Sequence, residues 1–153
     1  MSDSPLSLAN SPERMKLLVT INHVTYGLYL FSYFTAGLSW LVAIVLNYLY
    51  RPEMRGTWLE SHVNWQTNTF WFSIVWFVIG IVLLMSGFGI GLGAGIWSTP
   101  NAPVAPVAPV ALSGVLVGVA GVALCVITAL WHLYRVIRGW IALADGQPVS
   151  GIR

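Results

Sequence analysis

A stretch of 74 residues, from Ser61 to Tyr134, contains no Lys, Arg, Asp or Glu. A second uncharged run covers residues 17–50. Both runs exceed the roughly 18 apolar residues that indicate a membrane span. Charged residues make up 8% of the chain and hydrophobic residues 57%, whereas a water-soluble domain needs a charged shell around its core. The sequence therefore predicts an all-α integral membrane protein.

Two long hydrophobic tracts, residues 61–97 and 111–143, each exceed the ~20 residues that a helix needs to cross the hydrocarbon. The run 17–50 is either one helix of about 51 Å or a hairpin that breaks near residues 35–37. The hairpin is favoured because every basic cluster then lies on one side and the uncharged loop 98–110 on the other. We therefore expect a four-helix bundle, in which a hairpin of two short helices precedes two long antiparallel helices.

This topology predicts a single transmembrane helical domain over residues 16–148, with both chain termini in the cytoplasm. A polar tail at 1–15 precedes the domain and a short tail at 149–153 follows it. The external loop 98–110 has proline at every third position, which is typical of a polyproline II segment. We interpret it as a stiff spacer, with a docking strip for a partner as the alternative.

Polar residues in both long tracts recur with helical spacing, which places them on one face of each helix. They are His62, Gln66 and Thr69 in the first tract, and Thr128, His132 and Arg135 in the second, which continues a run of Gly114, Gly118 and Gly121. Membrane helices associate through small residues that allow close approach and through polar groups that hydrogen bond. The prediction is a polar seam with close pairs between His62 or Gln66 and Thr128 or His132.

The start of the first long helix is predicted to carry a capping box. Thr57 would accept a hydrogen bond from the Glu60 amide, while the Glu60 carboxylate reaches back to the Thr57 amide. Glu60 is therefore interpreted as a helix cap rather than a catalytic acid. No pair of histidines has the spacing of a recognised metal motif, and no nucleophile lies beside a base. We predict no enzyme, no catalytic residue, no metal site and no cofactor.

Two segments resemble a group of small bacterial polytopic membrane proteins of unknown function. The segments are Arg55–His62, continued by Trp65-Gln66 and Thr69–Trp71, and Tyr134–Trp140, followed by Asp145, Gly146 and Pro148. This group is remotely similar to the small polytopic subunit of the chloroplast inner-envelope import translocon. The resemblance covers about residues 14–148 without the proline-rich loop, and it implies a four-helix, multi-pass protein of the bacterial inner membrane. By analogy it also suggests a part in protein translocation.

The sequence leaves two functional hypotheses open. The first is a non-enzymatic interaction or scaffold protein, or an accessory subunit of a membrane complex. Its partners would be the lipid bilayer and either another membrane protein or a second copy of the chain. The net charge of +2 is too small and too scattered for nucleic-acid binding. The alternative is a small oligomeric channel or transporter whose path is lined by the His, Gln, Thr and Arg residues of the seam.

Overall fold

The computed structural model of this chain describes residues 11–97 and 104–149. Four α-helices contain most of these residues: α1 (Pro12–Phe31), α2 (Leu38–Met54), α3 (Leu59–Trp97) and α4 (Val104–Ala144). The described ranges contain no β-strand. The predicted all-α fold with four helices is confirmed.

The uncharged run 17–50 forms two helices, with a turn where the sequence predicted it. Ala36 and Gly37 in this turn have positive φ angles of 49° and 88°. Glycine adopts this left-handed conformation at little steric cost, so Gly37 allows the chain to reverse. At the other end of the hairpin, Arg14 forms an ion pair with Glu53. The beginning of α1 therefore lies beside the end of α2.

The proline-rich stretch differs from its prediction as a loop over 98–110. The helix α4 begins at Val104, so the second half of that stretch is helical, and residues 98–103 lie outside the described ranges. Proline fixes φ near the helical value and is tolerated early in a helix, where the first four amides have no internal partner. Pro109, a little further along, loses one backbone hydrogen bond within the helix.

The chain divides into two compact units where the sequence predicted one domain. Of the described residues, 11–71 and 132–149 belong to one unit, and 72–97 and 104–131 belong to the other. The described part of the first contains α1, α2, the beginning of α3 and the end of α4, and we call it the four-helix unit. The second contains the remaining parts of α3 and α4, and we call it the two-helix unit.

Two segments are long and apolar enough, by length and composition, to cross a membrane. They are Leu59–Ala94, with 36 residues, and Ala108–Ala144, with 37. In each, only 11% of the most apolar stretch of 18 residues is buried inside the protein. Because the core helix of a water-soluble protein is mostly buried, this exposure distinguishes both segments from such a helix.

Candidate functional site

His62 in the four-helix unit is completely buried and uses both of its ring nitrogens. Its Nε2 lies 2.9 Å from the backbone oxygen of Gln147, and its Nδ1 lies 3.1 Å from the hydroxyl of Tyr26. A carbonyl oxygen can only accept, so Nε2 carries the proton, and the Tyr26 hydroxyl donates to Nδ1. The neutral imidazole is therefore satisfied at both nitrogens, which suits a structural connection between α1, α3 and the chain after α4.

Gln66, one helical turn further along α3, is also buried and bonds to α1. Its side-chain nitrogen donates to the Asn22 side-chain oxygen over 3.4 Å. Its backbone oxygen accepts from the Tyr29 hydroxyl at 3.2 Å, and Asn47 of α2 donates to the same hydroxyl at 3.5 Å. We call these six residues the polar network: Asn22, Tyr26, Tyr29, Asn47, His62 and Gln66. Three helices are thus joined through buried polar side chains.

Arg135 of α4 is held against α3 by a hydrogen bond and by an aromatic ring. Its Nε donates to Thr69 Oγ1 over 2.8 Å, and its guanidinium carbon lies 3.5 Å from the centre of the Trp65 ring. The Trp65 indole nitrogen donates in turn to the backbone oxygen of Arg135 at 3.0 Å. A planar guanidinium stacks well on an aromatic face, so Trp65 gives this half-buried cation a partner. The arrangement fixes the register of α3 against α4.

His132 has 5% of its surface exposed and lies among aromatic rings. Its Nδ1 is 2.9 Å from the Tyr33 hydroxyl, and its ring centre is 5.2 Å from that of Trp40 and 5.8 Å from that of Tyr29. In the described part of the chain, five buried polar side-chain atoms have no hydrogen-bond partner: Trp40 Nε1, Gln66 Oε1, Thr67 Oγ1, Ser73 Oγ and His132 Nε2. Buried polar atoms are nearly always paired, and among these five the imidazole nitrogen of His132 and the amide oxygen of Gln66 can accept a proton or a hydrogen bond from a solute.

The hydrogen-bond partners of the predicted seam residues differ from the predicted pairs. Thr69 and Arg135 bond to each other, a pair that the sequence analysis did not predict. His62 and Gln66, however, bond to α1 and to Gln147 rather than to Thr128 or His132. Thr128 lies in the two-helix unit, and its hydroxyl donates to a backbone oxygen of its own helix. The helix α1 supplies polar partners that the prediction did not include.

The sequence of α1 contains a pattern that could have identified the polar residues that the prediction missed. Asn22, Tyr26, Tyr29 and Tyr33 follow the same spacing of four, three and four residues that identified the stripes on the two long helices. All four side chains hydrogen bond within the four-helix unit. Applied to the first helix, the same spacing would have predicted its polar face.

The predicted cap of α3 is wrong in its pairing. The Glu60 carboxylate does reach back to a backbone amide, but that amide belongs to Gly56, at 2.8 Å. The Thr57 hydroxyl donates to the Met54 backbone oxygen at 2.7 Å instead of accepting from the helix. Gly56 has a φ of 75°, and this turn presents its amide to the carboxylate. Glu60 thus closes the turn between α2 and α3.

The histidines lie in separate surroundings rather than in one cluster. His23 accepts a hydrogen bond from the Trp140 indole at 2.9 Å, while His62 and His132 each pair with a different tyrosine. Within the described residues, no group of three or more His, Cys, Asp or Glu side chains could hold a metal ion. His62 and His132 are thus buried hydrogen-bonding partners, and His23 is a half-buried one.

Glycines join the helices of the two-helix unit with their backbones in contact. A Cβ atom added at Gly121 would lie 2.5 Å from the Leu84 nitrogen, and one at Gly114 would lie 2.8 Å from the Gly91 nitrogen. At Gly118 the nearest atom would be 3.9 Å away, an ordinary contact distance. All three predicted packing glycines therefore line the face towards α3, and Gly118 is the least constrained. Close approach of this kind is how helices associate without a hydrophobic driving force.

An open apolar groove of about 600 Å³ lies along this glycine contact. Large apolar side chains and glycines of both helices line it. The lining residues include Leu84, Gly87, Phe88, Gly91, Gly118 and Val119. The groove lies among side chains that are almost all apolar and exposed.

Compared with known proteins, this chain matches no family model, no curated protein and no solved structure.

Proposed function

We propose that the protein is a multi-pass membrane protein of the bacterial inner membrane that acts as a non-enzymatic scaffold or accessory subunit. The observation that carries this proposal is the outer surface of the two-helix unit. Phe88 and Val119, which are each 61% exposed there, line an apolar groove together with glycines of both helices. A membrane helix of a partner protein, or of a second copy of this chain, can approach glycines closely.

The interior of the protein supports a structural role for its polar groups. His62, Thr69 and Arg135 are occupied by hydrogen bonds between segments of the same chain. Groups that are engaged in this way hold helices together, whereas a catalytic site needs a nucleophile or base that can reach a substrate. The resemblance to bacterial polytopic proteins and, remotely, to a translocon subunit is consistent with membership of a membrane complex.

The proposed orientation places both termini on the cytoplasmic side. The basic residues Arg14 and Lys16 precede α1, Arg51 and Arg55 lie at the end of α2, and Arg135 and Arg138 lie in the last part of α4. Basic residues accumulate on the cytoplasmic side of membrane proteins. The Arg14–Glu53 ion pair brings the basic residues at the start of α1 close to those at the end of α2.

The first test is cross-linking of the tagged protein in native membranes, followed by mass-spectrometric identification of the cross-linked chains. We expect one recurrent membrane protein, or the chain itself, in near-equal amount. Gly91→Leu is expected to abolish this cross-link, because its side chain would fill the groove. A Cβ at Gly91 meets no atom within 4 Å, so the fold should tolerate the change.

Gly93→Leu is the matched control for Gly91→Leu. It makes the same change two residues away on α3, also with no atom within 4 Å of its Cβ, and Gly93 does not line the groove. The scaffold proposal predicts normal cross-linking in this control. Equal cross-linking in both variants would show that the groove is not the binding surface. The absence of a stoichiometric partner from every sample would overturn the proposal itself.

A channel or transporter is the second candidate, favoured by the unpaired His132 Nε2 and Gln66 Oε1 in the four-helix unit. Polar groups inside membranes often mark transport pathways. The direct test is pH-dependent conductance of the purified protein in liposomes. If this candidate is correct, His132→Ala abolishes the conductance, whereas His62→Ala, which removes a histidine with two hydrogen bonds, affects mainly stability.

A further inference from the structure

Arg138 and Tyr134 lie together on the outer surface of α4, in the four-helix unit. Both side chains are exposed, and Arg138 Nη1 donates to the Tyr134 hydroxyl at 3.2 Å. A tyrosine hydroxyl can accept one hydrogen bond and still donate its own proton. A guanidinium carries several N–H groups, and only one of those on Arg138 is used in this bond. The pair therefore offers mainly hydrogen-bond donors to a molecule outside the protein.

A second guanidinium lies close to Arg138. The guanidinium carbons of Arg135 and Arg138 are 3.5 and 5.9 Å from the centre of the same ring, that of Trp65. Within the described residues, Arg138 takes part in no ion pair. The helix α4 contains no acidic residue, and Asp145, just after its end, lies seven residues or roughly 10 Å from Arg138 along the chain axis. The electrostatic field at this surface is thus positive and favours an anion.

Exposed apolar side chains lie beside this positive group. Ile137 and Ile141 are 44 and 57% exposed, and helical spacing places both on the same face of α4 as Tyr134 and Arg138. This face belongs to the last part of Ala108–Ala144, one of the two segments that could cross a membrane. An arginine near the end of such a segment can place its charge among lipid headgroups while its stem stays beside the acyl chains.

From this combination we infer that Arg138 and Tyr134 bind the phosphate of an anionic phospholipid, whose acyl chains lie along Ile137 and Ile141. A planar guanidinium can donate to two oxygens of one phosphate, and the Tyr134 proton supplies a further bond. The second cation, Arg135, favours a lipid with a net negative charge over a zwitterionic one. A soluble phosphate would satisfy the same donors but would leave the isoleucines uncovered. The inference rests on the membrane location in the proposed function, and not on the partner in the groove.

The test is native mass spectrometry of the purified protein in detergent, with phosphatidylglycerol and phosphatidylethanolamine added in equal amounts. We expect the parent protein to bind phosphatidylglycerol preferentially. Arg138→Gln removes the charge at an exposed position, so the fold should tolerate it. Because a hydrogen bond to a charged group is lost, the affinity of this variant for phosphatidylglycerol should fall about tenfold. Equal binding of the two lipids by the parent protein would overturn the inference.

Arg55→Gln is the matched control for Arg138→Gln. It removes the same charge from another exposed arginine of the four-helix unit, in the turn that follows α2. The control should keep the affinity of the parent protein to within about twofold, because an exposed charge away from the site acts only weakly. An equal loss in the two variants would show that the lipid responds to total charge, and it would overturn the assigned site.

Tyr134→Phe tests the second donor of the site. It removes the hydroxyl that holds Arg138 and donates to the phosphate, and the affinity for phosphatidylglycerol should fall about threefold. The loss should be smaller than in Arg138→Gln, since the charge remains. An affinity unchanged from that of the parent protein would overturn the role of this hydroxyl in the site.

A soluble ligand is distinguished by competition with glycerol 3-phosphate, which carries the phosphate without acyl chains. If this compound displaced phosphatidylglycerol at equal concentration, the isoleucines would contribute nothing and the assignment to a lipid would be overturned. Failure of the proposed function is recognised separately, because alkaline carbonate would then extract the parent protein from native membranes. A protein that stays in the membrane but has no preference for phosphatidylglycerol contradicts this inference alone.

Discussion

The two units of this protein hold their helices together by different interactions, although both use stripes with the same helical spacing. In the two-helix unit the contact is between backbones, because glycines such as Gly87 and Gly121 have no side chain to keep the helices apart. In the four-helix unit the contact is between polar side chains, with His62 and Gln66 bonded to α1. Close packing gives many weak dispersion contacts, whereas a polar network gives a few directional ones. The two units should therefore fail in different ways when they are mutated.

The largest expected effect is that of Gly87→Leu in the two-helix unit. A Cβ at Gly87 would collide with the Gly118 nitrogen and would lie 2.5 Å from the Gly114 oxygen. Because these are backbone atoms, the helices would have to separate, and we expect a loss of about 3 kcal/mol in the free energy of unfolding. SDS titration of the purified protein in mixed micelles measures this loss.

Gly89→Leu is the control for this prediction. It makes the same change on the same helix, at a position where a Cβ meets no atom within 4 Å. The control should be as stable as the parent, or more stable by up to about 1 kcal/mol through helix propensity. Similar stability of the two variants would contradict backbone contact as the basis of the two-helix unit.

The second prediction concerns the hydrogen bond between Thr69 and Arg135 in the four-helix unit. Thr69→Val keeps the shape of the side chain but removes the oxygen that accepts from Arg135 Nε. Hydrogen bonds to charged groups contribute about 1.5–3 kcal/mol, so we expect a loss of about 2 kcal/mol in the free energy of unfolding. The same SDS titration applies.

Thr20→Val is the matched control for Thr69→Val. The Thr20 hydroxyl is exposed and donates only to the backbone oxygen of Lys16, within α1. This variant should lose less than about 0.5 kcal/mol. If the two valine variants were equally destabilised, the hydroxyl of Thr69 would have no special role between α3 and α4.

Helical spacing in the sequence indicates which residues share a face, but not which helix that face meets. For this reason the glycine contact between α3 and α4 could be predicted, while the partners of His62 and Gln66 could not. Their partners on α1 lie 36 to 44 residues earlier in the chain, and Gln147, the other partner of His62, lies 85 residues later. The turn at Gly37 was predictable because a tight reversal in an apolar run favours glycine. Prolines at the start of α4 were misleading, because their fixed φ suits both polyproline II and an early helical turn.

The third prediction tests the polar network directly. Tyr26→Phe removes the hydroxyl that donates to His62 Nδ1, while the bond from His62 Nε2 to Gln147 remains. An unpaired buried acceptor should lower the free energy of unfolding by about 1 kcal/mol or slightly more. Nitrogen NMR of labelled histidine should show a changed Nδ1 environment in this variant.

Tyr134→Phe is the control for the tyrosine prediction. Tyr134 is 57% exposed, and its hydroxyl accepts from Arg138 on the surface of α4. Its removal should change stability by less than about 0.5 kcal/mol and leave the His62 signal unmoved. A shift of that signal in the control, or no shift in Tyr26→Phe, would argue against the assigned bond.

The smallest expected effect lies outside both sets of contacts, at the turn that leads into α3. Glu60→Ala removes the carboxylate that accepts from the Gly56 amide at 2.8 Å. The interaction is exposed, so we expect a loss of roughly 0.5 kcal/mol, at the low end of the range for helix caps. Glu60→Gln separates its two possible causes, since the amide oxygen can still accept while the charge near the helix start is removed. Recovery of parent stability in Glu60→Gln would assign the effect to the hydrogen bond. An equal loss in both variants would assign it to the charge, and this turn would then resemble neither unit in what stabilises it.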